Sequence, residues 1–268
     1  MRVARLSMSN KDYFWLNLRD LPYFRAMLRA VEAQFYADYE LPAPMLDVGC
    51  GDGHFASIAF DKSLDVGVDP WSSPIRRATT LGGHRFLVQS DGGRLPFPDE
   101  YYGSAISNSA LEHIVHVEEV LRETARVLKP GAPFLFTVPN PAYFSELAVA
   151  GGLQRLGLGA LSRAYTEWFR RVSRVFHAEP RQVWRAWLDK AGFSLEESWH
   201  YFPPEAMHVL EWGHYLGAPT LLPHVLVGRW IISPTRWNLA LTDRLVRPYV
   251  RAEPHPQGTF TFYVAKRK

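Results

Sequence analysis

Short apolar runs alternate with helical stretches through the middle of the chain, from residue 43 onward. Five of the runs have the length and composition of strands, and the segments between them carry apolar residues at helical spacing. Strands that alternate with helices form right-handed crossovers, so the pattern predicts a parallel sheet with helices on both faces. The predicted strands are Met45–Val48, Val66–Val68, His84–Val88, Ser104–Ser107 and Pro133–Val138, and the predicted helices are 53–61, 72–80 and 111–128.

Helical patterns also occur on both sides of this core. Residues 12–40 predict helix, with one apolar face at three- and four-residue spacing, and Pro22 fits an early turn of a second helix. Residues 141–176 predict inserted helices. Residues 203–257 predict another helical insertion, because a structureless loop of that length is improbable in a compact domain. The first face consists of Phe24, Leu28, Val31 and Phe35, and the late regular elements are a helix from Arg181 to Lys190, a strand from Phe193 and a closing strand from Thr259 to Ala265.

Composition narrows the class of protein. The 268 residues are 47% apolar and 21% charged, which is typical of a globular protein and excludes disorder, collagen and coiled coil. The single cysteine, Cys50, excludes an internal disulfide and a structural zinc ribbon. The first residues lack the apolar run of a signal peptide, and no uninterrupted apolar stretch is long enough to span a membrane. We therefore expect a soluble, cytoplasmic protein.

The strongest local signal is a glycine-rich turn directly after the first predicted strand, Met45-Leu-Asp-Val-Gly-Cys-Gly-Asp-Gly-His54. Glycines at such a turn permit positive φ and let a ligand approach main-chain N–H groups at a helix N-terminus. The turn lacks the dinucleotide fingerprint, because His54 stands where a third small residue is needed. It also lacks the Lys-Ser/Thr of a Walker loop.

Further features follow in a fixed order. Asp69 ends the second strand, where a carboxylate can accept both hydroxyls of a ribose, and Asp91 ends the third. Leu95-Pro-Phe-Pro-Asp99 and Arg126-Val-Leu-Lys-Pro-Gly131 then flank the fourth strand. In these motifs and their order the chain resembles the class I S-adenosylmethionine-dependent methyltransferases, specifically the small-molecule group. The resemblance is close over residues 43–140 and looser over 176–202 and 259–267.

The resemblance implies an α/β fold: a doubly wound, mostly parallel, seven-stranded Rossmann-like sheet with helical additions. It divides the chain into an N-terminal helical cap, a core that binds S-adenosylmethionine and releases S-adenosylhomocysteine, and an aromatic-rich helical insertion that serves as a substrate lid or faces a membrane. These parts are 1–42, then 43–202 with 258–268, which includes the inserted helices 141–176, and finally 203–257.

The resemblance also implies cofactor-binding residues. Asp47, Gly49 and Gly51 correspond to the loop that holds the methionine part. Asp69 corresponds to the ribose ligand, and Asp91 with Gly92 to the group that contacts the adenine amine. Ser107 and Asn108 lie where the fourth strand passes beneath the sulfonium. The alternative interpretation of Asp69 and Asp91 is that each is a simple loop cap. Cys50 is interpreted as a small residue packed behind the turn and not as a nucleophile.

Candidate bases for deprotonating an acceptor cluster after the fourth strand. Histidine suits removal of a proton from a phenol or enol near neutral pH. The catalytic candidates are Glu112 and His113, with His116 nearby and His177 brought alongside from the start of the late helix. The alternative is that Glu112 and His113 simply begin a helix. The stretch resembles a metal-assisted subgroup, but Ser109 replaces its first carboxylate, so we expect no metal.

Several substrate classes are excluded by the sequence. A nucleic-acid amino-methyltransferase would show an Asp/Asn-Pro-Pro-aromatic motif after the fourth strand, where this chain has Asn108-Ser-Ala-Leu111. A cytosine C5 enzyme would need a nucleophilic cysteine in a Pro-Cys loop, and this sequence has no such loop. The added segments are rich in aromatic residues, and such walls favour a small, largely apolar or lipid-like acceptor. In-line methyl transfer to oxygen is the favoured reaction; the accepting atom and the oligomeric state are left open.

The excess of basic residues outside the core suggests a second kind of partner, an anionic membrane. Residues 43–140 carry 8 Lys+Arg against 12 Asp+Glu, so the remainder carries a net charge of +7. Leu216 to Ile232 is apolar but interrupted, and with Arg229, Arg236, Arg244, Arg247 and Arg251 it could rest on the inner face of an anionic membrane. The alternative is a solvated basic face. Two alternatives to a small-molecule methyltransferase stay open: a cofactor-binding or membrane-docking protein on the same fold without turnover, and an NAD-dependent oxidoreductase.

Overall fold

A computed structural model describes residues 11–268, so the first ten residues of the expected N-terminal cap lie outside the described residues. Seven strands form one sheet in the order β3-β2-β1-β4-β5-β7-β6. All neighbours are parallel except β7, which runs antiparallel to both β5 and β6. The mostly parallel sheet is confirmed. The strands are β1 Met45–Val48, β2 Leu64–Asp69, β3 His84–Gln89, β4 Ser104–Asn108, β5 Pro133–Pro139, β6 Phe193–Tyr201 and β7 Phe260–Arg267.

Strand β1 lies at the point where the strand order reverses. It pairs with β2 on one side, Leu46 opposite Val66, and with β4 on the other, Leu46 opposite Ala105. Ligands of open α/β sheets bind in the crevice at the carboxyl ends of the strands beside such a point. The turns after β1, β2 and β4 therefore meet at one edge of the sheet.

Twelve α-helices surround the sheet within residues 11–268, and none of them is long and apolar enough to span a membrane. They are α1 Tyr13–Leu18, α2 Tyr23–Ala37, α3 His54–Ala59, α4 Ser72–Leu81, α5 Val117–Val127, α6 Ala142–Ser145, α7 Ala148–Arg155, α8 Gly159–Ser173, α9 Arg181–Ala191, α10 Pro204–Leu216, α11 Leu221–Val227 and α12 Arg236–Val246. Both insertions are helical, as the sequence predicts.

The prediction of one helix over 111–128 is wrong at its beginning. Leu111–His113 is a 3₁₀ turn, Ile114 is extended, and α5 begins only at Val117. The first turn of α5 carries Glu118 and Glu119, which the helix dipole favours there. The residues after β4 are thus an irregular loop that points towards the crevice.

Helix α2 carries the N-terminal segment onto the sheet. Its N-cap is Pro22, so the proline precedes the helix and does not lie within it. Val31 and Phe35 of the predicted face are buried, whereas Phe24 and Leu28 are only half-buried. Phe35 packs edge-on against aromatic rings of β6 and β7. The contacts place the next residues of α2 beside the end of β4.

The two sequence motifs that flank β4 are tied together by Arg126 of α5. Its guanidinium donates to the Leu95 and Phe97 carbonyl oxygens, both at 2.9 Å, and to Asp99 Oδ1 at 2.6 Å. Carboxylates of Glu123 and Asp99 raise the pKa of Arg126 through these hydrogen bonds. A planar group with five donors suits such a multiple contact. The Leu95–Asp99 loop is therefore anchored to helix α5.

Candidate functional site

The glycine-rich turn after β1 is left-handed at Gly49, Gly51 and Gly53, with φ values of 78°, 55° and 73°. The Gly49 and Cys50 N–H groups both donate to the Val68 carbonyl oxygen at 2.9 Å, which ties the turn to β2. A Cβ added at Gly49 would lie 2.5 Å from the Ala110 Cβ. The backbone of this turn therefore packs directly against the loop after β4, at a distance only glycine permits.

Asp69 clasps this turn from the end of β2. Its Oδ2 accepts from the Gly51 N–H and its Oδ1 from the Trp71 N–H, both at 3.0 Å. Burial raises the pKa of Asp69, the two backbone hydrogen bonds lower it, and the nearby carboxylate of Asp47 raises it further. Asp69 is therefore a loop cap, but each oxygen keeps a second lone pair. Its predicted contact with a ribose is compatible with the cap.

A cavity of about 800 Å³ opens at this edge of the sheet. It is large enough for a nucleoside-sized ligand with part of a second molecule. Among the predicted cofactor residues, those that line it are Asp47, Gly49, Gly51, Asp69, Asp91, Gly92 and Asn108. Ser107 does not line it, because its hydroxyl is fully buried and donates to the Val48 carbonyl oxygen at 2.7 Å. Ser107 thus joins β4 to β1.

A buried histidine supports Asp47 from behind the turn. His84 Nε2 lies 2.9 Å from Asp47 Oδ2, and the His84 side chain is completely buried. Gly67 leaves the space for this ring, since an added Cβ would lie 2.8 Å from it. Cys50 is buried at the same place, 3.0 Å from that Cβ position, and burial raises the pKa of its thiol. These contacts make Cys50 a packing residue.

The sequence interpretation missed Glu32 of α2, which organises the end of β4. This carboxylate is fully buried. Its Oε2 accepts from Asn108 Nδ2 at 2.8 Å and from Arg29 at 3.0 Å. Its Oε1 accepts from the hydroxyls of Ser109 at 2.7 Å and Tyr201 at 3.0 Å. An acidic residue beside the apolar face of a helix was the available signal.

Backbone strain accompanies the Glu32 network. Ser109 is left-handed with φ 45°, which is uncommon for a residue with a Cβ. Its N–H donates to Thr137 Oγ1 at 2.9 Å, and Thr137 Oγ1 in turn donates to Asn108 Oδ1 at 3.1 Å. Such strain persists where the surroundings over-determine it, as at ligand sites. Asn108 and Ser109 are therefore held rigidly at the cavity wall.

His113 is the one predicted catalytic residue that lines the cavity. Its Nδ1 lies 2.9 Å from the Arg174 carbonyl oxygen, which can only accept, so Nδ1 carries the hydrogen. In the neutral ring Nε2 then has a free lone pair. Glu112 is buried and does not line the cavity; its Oε1 lies 3.8 Å from His113 Nε2. Burial raises the pKa of Glu112, and the other oxygen, Oε2, has no hydrogen-bond partner within residues 11–268.

The structure does not bring His177 to this cavity. The Phe176 and His177 N–H groups donate to the Glu112 carbonyl oxygen at 2.8 and 3.2 Å, which carries the chain past the back of the loop. His177 Nε2 lies 2.9 Å from the Ile114 carbonyl oxygen, and its ring packs against Trp187. His116 lies with it in a separate small pocket. Within the described part of the chain, His, Cys, Asp and Glu side chains form no group of three that could hold a metal ion.

Three arginines, Arg25, Arg29 and Arg77, also line the cavity. Arg29 is paired with Glu32, whereas Arg25 and Arg77 make no ion pair with any described residue. The Arg25 guanidinium lies 5.8 Å from the centre of the Trp230 ring, beyond α11. One residue of the long insertion, Trp230, therefore approaches the cavity wall.

Comparisons with known proteins agree with this architecture. Residues 46–136 match the family described as "Methyltransferase domain". A fatty-acid O-methyltransferase of Mycolicibacterium smegmatis is 36% identical over 105 residues, which are 37% of this chain and 38% of the relative. A ubiquinone/menaquinone biosynthesis C-methyltransferase of Pseudomonas paraeruginosa is 30% identical over 138 residues, which are 50% and 49% of the two chains. The chain thus spans at most about half the length of these curated relatives.

A solved structure extends the likeness over the whole fold. An S-adenosylmethionine-dependent methyltransferase from Thermotoga maritima superposes with a TM-score of 0.52 at 17% identity, covering 96% of this chain and 93% of that one. At this identity the likeness concerns the fold alone. The chain therefore combines a segment that matches the methyltransferase domain with the seven-stranded sheet of a methyltransferase fold.

Proposed function

We propose that this protein is an S-adenosylmethionine-dependent methyltransferase that acts on a small, largely apolar or lipid-like acceptor, and that the transfer is to oxygen. The observation that carries the proposal is the turn after β1, clasped by Asp69 and open to the cavity. An added Cβ at Gly51 would meet no heavy atom within 4 Å, so the main chain there is accessible to a ligand. The family match over residues 46–136 supports the same conclusion.

The cavity suits the charge and shape of the cofactor. Four carboxylates, those of Asp47, Asp52, Asp69 and Asp91, line it beside three arginines, of which Arg29 is paired with Glu32. The carboxylates favour a cation such as a sulfonium. We assign Asp47, Gly49 and Gly51 to the methionine part. Asp69 would accept from the ribose hydroxyls through its remaining lone pairs, Asp91 and Gly92 would contact the adenine, and Asn108 would lie near the sulfonium. When bound, the cofactor supplies a methyl group ready for displacement, and the product is S-adenosylhomocysteine.

His113 is the proposed base. Its Nδ1 donates to the Arg174 carbonyl oxygen, so the ring is oriented and Nε2 is free to take the proton of an acceptor hydroxyl. Leu21, Phe55 and Ile114 contribute apolar walls to the same cavity. These surroundings exclude water and favour an apolar acceptor. The names of the two curated relatives, which refer to fatty acids and to quinone biosynthesis, support that class.

The insertions complete the proposal. Residues 203–257 would cover the mouth of the cavity as a lid, with the described part of the N-terminal helices beneath. A lipid-like acceptor is found in membranes, so we place the protein in the cytoplasm with peripheral contact at the inner face of a membrane.

Calorimetric titration of the purified chain with S-adenosylmethionine, S-adenosylhomocysteine and NADH tests the assignment. We expect the first two to bind and NADH not to bind. Asp69→Ala should weaken S-adenosylmethionine binding at least about tenfold, because it removes a charged acceptor and releases the turn. Asp61→Ala is the matched control, since that carboxylate is exposed and lies outside the cavity. Equal binding by Asp69→Ala and the parent would refute the site.

Methyl transfer is measured separately, with fatty acids, phenols and quinols as acceptors. Transfer to any of them supports the enzyme. Tight cofactor binding with no transfer to the whole panel would favour the cofactor-binding alternative without turnover.

A further inference from the structure

Two helices of the long insertion expose apolar side chains that the fold leaves uncovered. Helix α11 has no buried residue, and Val225 on it is 78% exposed. On α12, Leu239 and Val246 are buried, while the other face presents Trp237, which is 89% exposed. We call these exposed side chains the α11–α12 surface: Leu222, Val225, Leu226, Val227, Ile232, Trp237, Leu241 and Leu245. So many exposed large apolar residues in one short segment mark an interaction site.

The charge of this segment is one-sided. Between Glu211 and Asp243 the chain has no acidic residue, but it has two arginines, Arg229 and Arg236. Arg229 and Arg244 are exposed and make no ion pair with any described residue. Arg236 lies over the Trp15 ring at 4.5 Å, so its charge is held against an aromatic face. Apolar residues with tryptophan, surrounded by arginines, are typical of segments that lie in a membrane interface.

The same segment approaches one of the residues that line the cavity. The His224 ring of α11 stacks on Trp230 at 3.9 Å, and Trp230 in turn faces Arg25. Arg25 and Arg77 line the cavity and make no ion pair with a described residue. Burial, and after it the charges of these two arginines, lowers the pKa of His224. The segment that carries the α11–α12 surface is therefore linked to the cavity wall through Trp230 and Arg25.

We propose that the α11–α12 surface docks on an anionic phospholipid bilayer and opens the cavity towards it, so that the acceptor enters from the lipid. The inference rests on the proposed function for the nature of the acceptor, but the docking itself does not depend on catalysis. The charge argues for lipid over a second copy of the chain, because a two-fold contact through this surface would bring like-charged arginines together. An anionic bilayer neutralises these arginines and covers the apolar side chains at once.

Vesicle flotation with the full chain, without cofactor or acceptor, tests the docking. Vesicles of phosphatidylcholine alone are compared with vesicles that also contain phosphatidylglycerol. We expect binding to the anionic vesicles only, and weaker binding as salt increases. The double variant Val225→Ser/Trp237→Ser should bind about tenfold or more weakly, because both side chains lose their apolar insertion. Arg229→Gln and Arg244→Gln should each weaken binding about fivefold.

Phe86→Ser is the control, because Phe86 is 66% exposed on β3, outside the surface. It should bind like the parent. The substituted residues are all exposed, so thermal unfolding should be unchanged in every variant. Absence of vesicle binding, or equal binding to neutral vesicles, would overturn the proposal. So would a concentration-dependent dimer that the double variant abolishes, since the occupant would then be a second copy. Failure of the proposed function would appear instead as absent cofactor binding in the calorimeter.

Discussion

Removal of the Glu32 carboxylate should be among the most destabilising single changes at the site. Glu32→Ala deprives four donors of their acceptor at once: Arg29, Asn108, Ser109 and Tyr201. These donors come from three elements and from the loop after β4, so the loss is not confined to one helix. Arg29 also loses the only carboxylate with which it forms an ion pair among the described residues.

The magnitude follows from the burial of the network. Breaking a buried ion pair by removing one partner costs about 3–5 kcal/mol, because the other charge is left uncompensated. We expect Glu32→Ala to lower the free energy of unfolding by that amount. Glu32→Gln retains one oxygen for Arg29 and Asn108, and its amide can donate to the two hydroxyls, so its cost should be about 1–2 kcal/mol. Glu40→Ala, at an exposed position beyond α2, should change stability by less than about 0.5 kcal/mol.

Urea unfolding followed by tryptophan fluorescence measures the three variants beside the parent, with the slope checked for constancy. The order Glu32→Ala, Glu32→Gln, Glu40→Ala, from the least to the most stable, is the expected result. A free energy of unfolding for Glu32→Ala within about 1 kcal/mol of the parent would refute the reasoning, because the four donors would then have found water or other acceptors.

Two further predictions concern the loop after β4. His113→Ala should lower methyl transfer at least about a hundredfold and leave S-adenosylmethionine affinity nearly unchanged in calorimetry, whereas unchanged turnover would make His113 structural. The pKa of Glu112 is raised in the folded state, so the stability contributed by its protonated form is present at low pH and lost as pH rises through that pKa. Glu112→Gln should therefore gain stability relative to the parent between about pH 4 and about pH 7, measured by urea unfolding at both; a constant difference would contradict the burial argument.

The alternation of strands and helices and the position of the glycine-rich turn could be predicted because both depend on local patterns. A four-residue apolar run ending in three glycines dictates a strand, a left-handed turn and a helix, whatever packs around it. The prediction of one helix over 111–128 was wrong at its beginning because local spacing does not record long-range contacts. The apolar spacing of Leu111 and Ile114 continued the pattern of the helix, but Ile114 is extended, and this stretch makes hydrogen bonds with the distant residues 174–177.

Long-range partners were beyond the reach of sequence reasoning. Glu32 and Tyr201 lie 169 positions apart, and Asp47 and His84 lie 37 apart, yet each pair is in hydrogen-bond contact. No periodicity relates such residues, because their meeting depends on how α2 and β3 pack on the sheet. His177 illustrates the opposite outcome, since it belongs to the chemically suitable residue type but packs behind the loop. Whether two distant residues meet depends on how the elements that carry them pack, and this packing is a property of the whole fold.

The sequence by itself determined the α/β alternation, the glycine turn and the carboxylates at the strand ends, because these follow from short-range sterics and from the two-residue and 3.6-residue periods. Only the tertiary structure decided which side chains share the cavity, which carboxylates are buried with partners, and which apolar helix faces remain uncovered. Those properties depend on contacts between residues far apart in the chain, and short-range sequence patterns carry no information about such contacts.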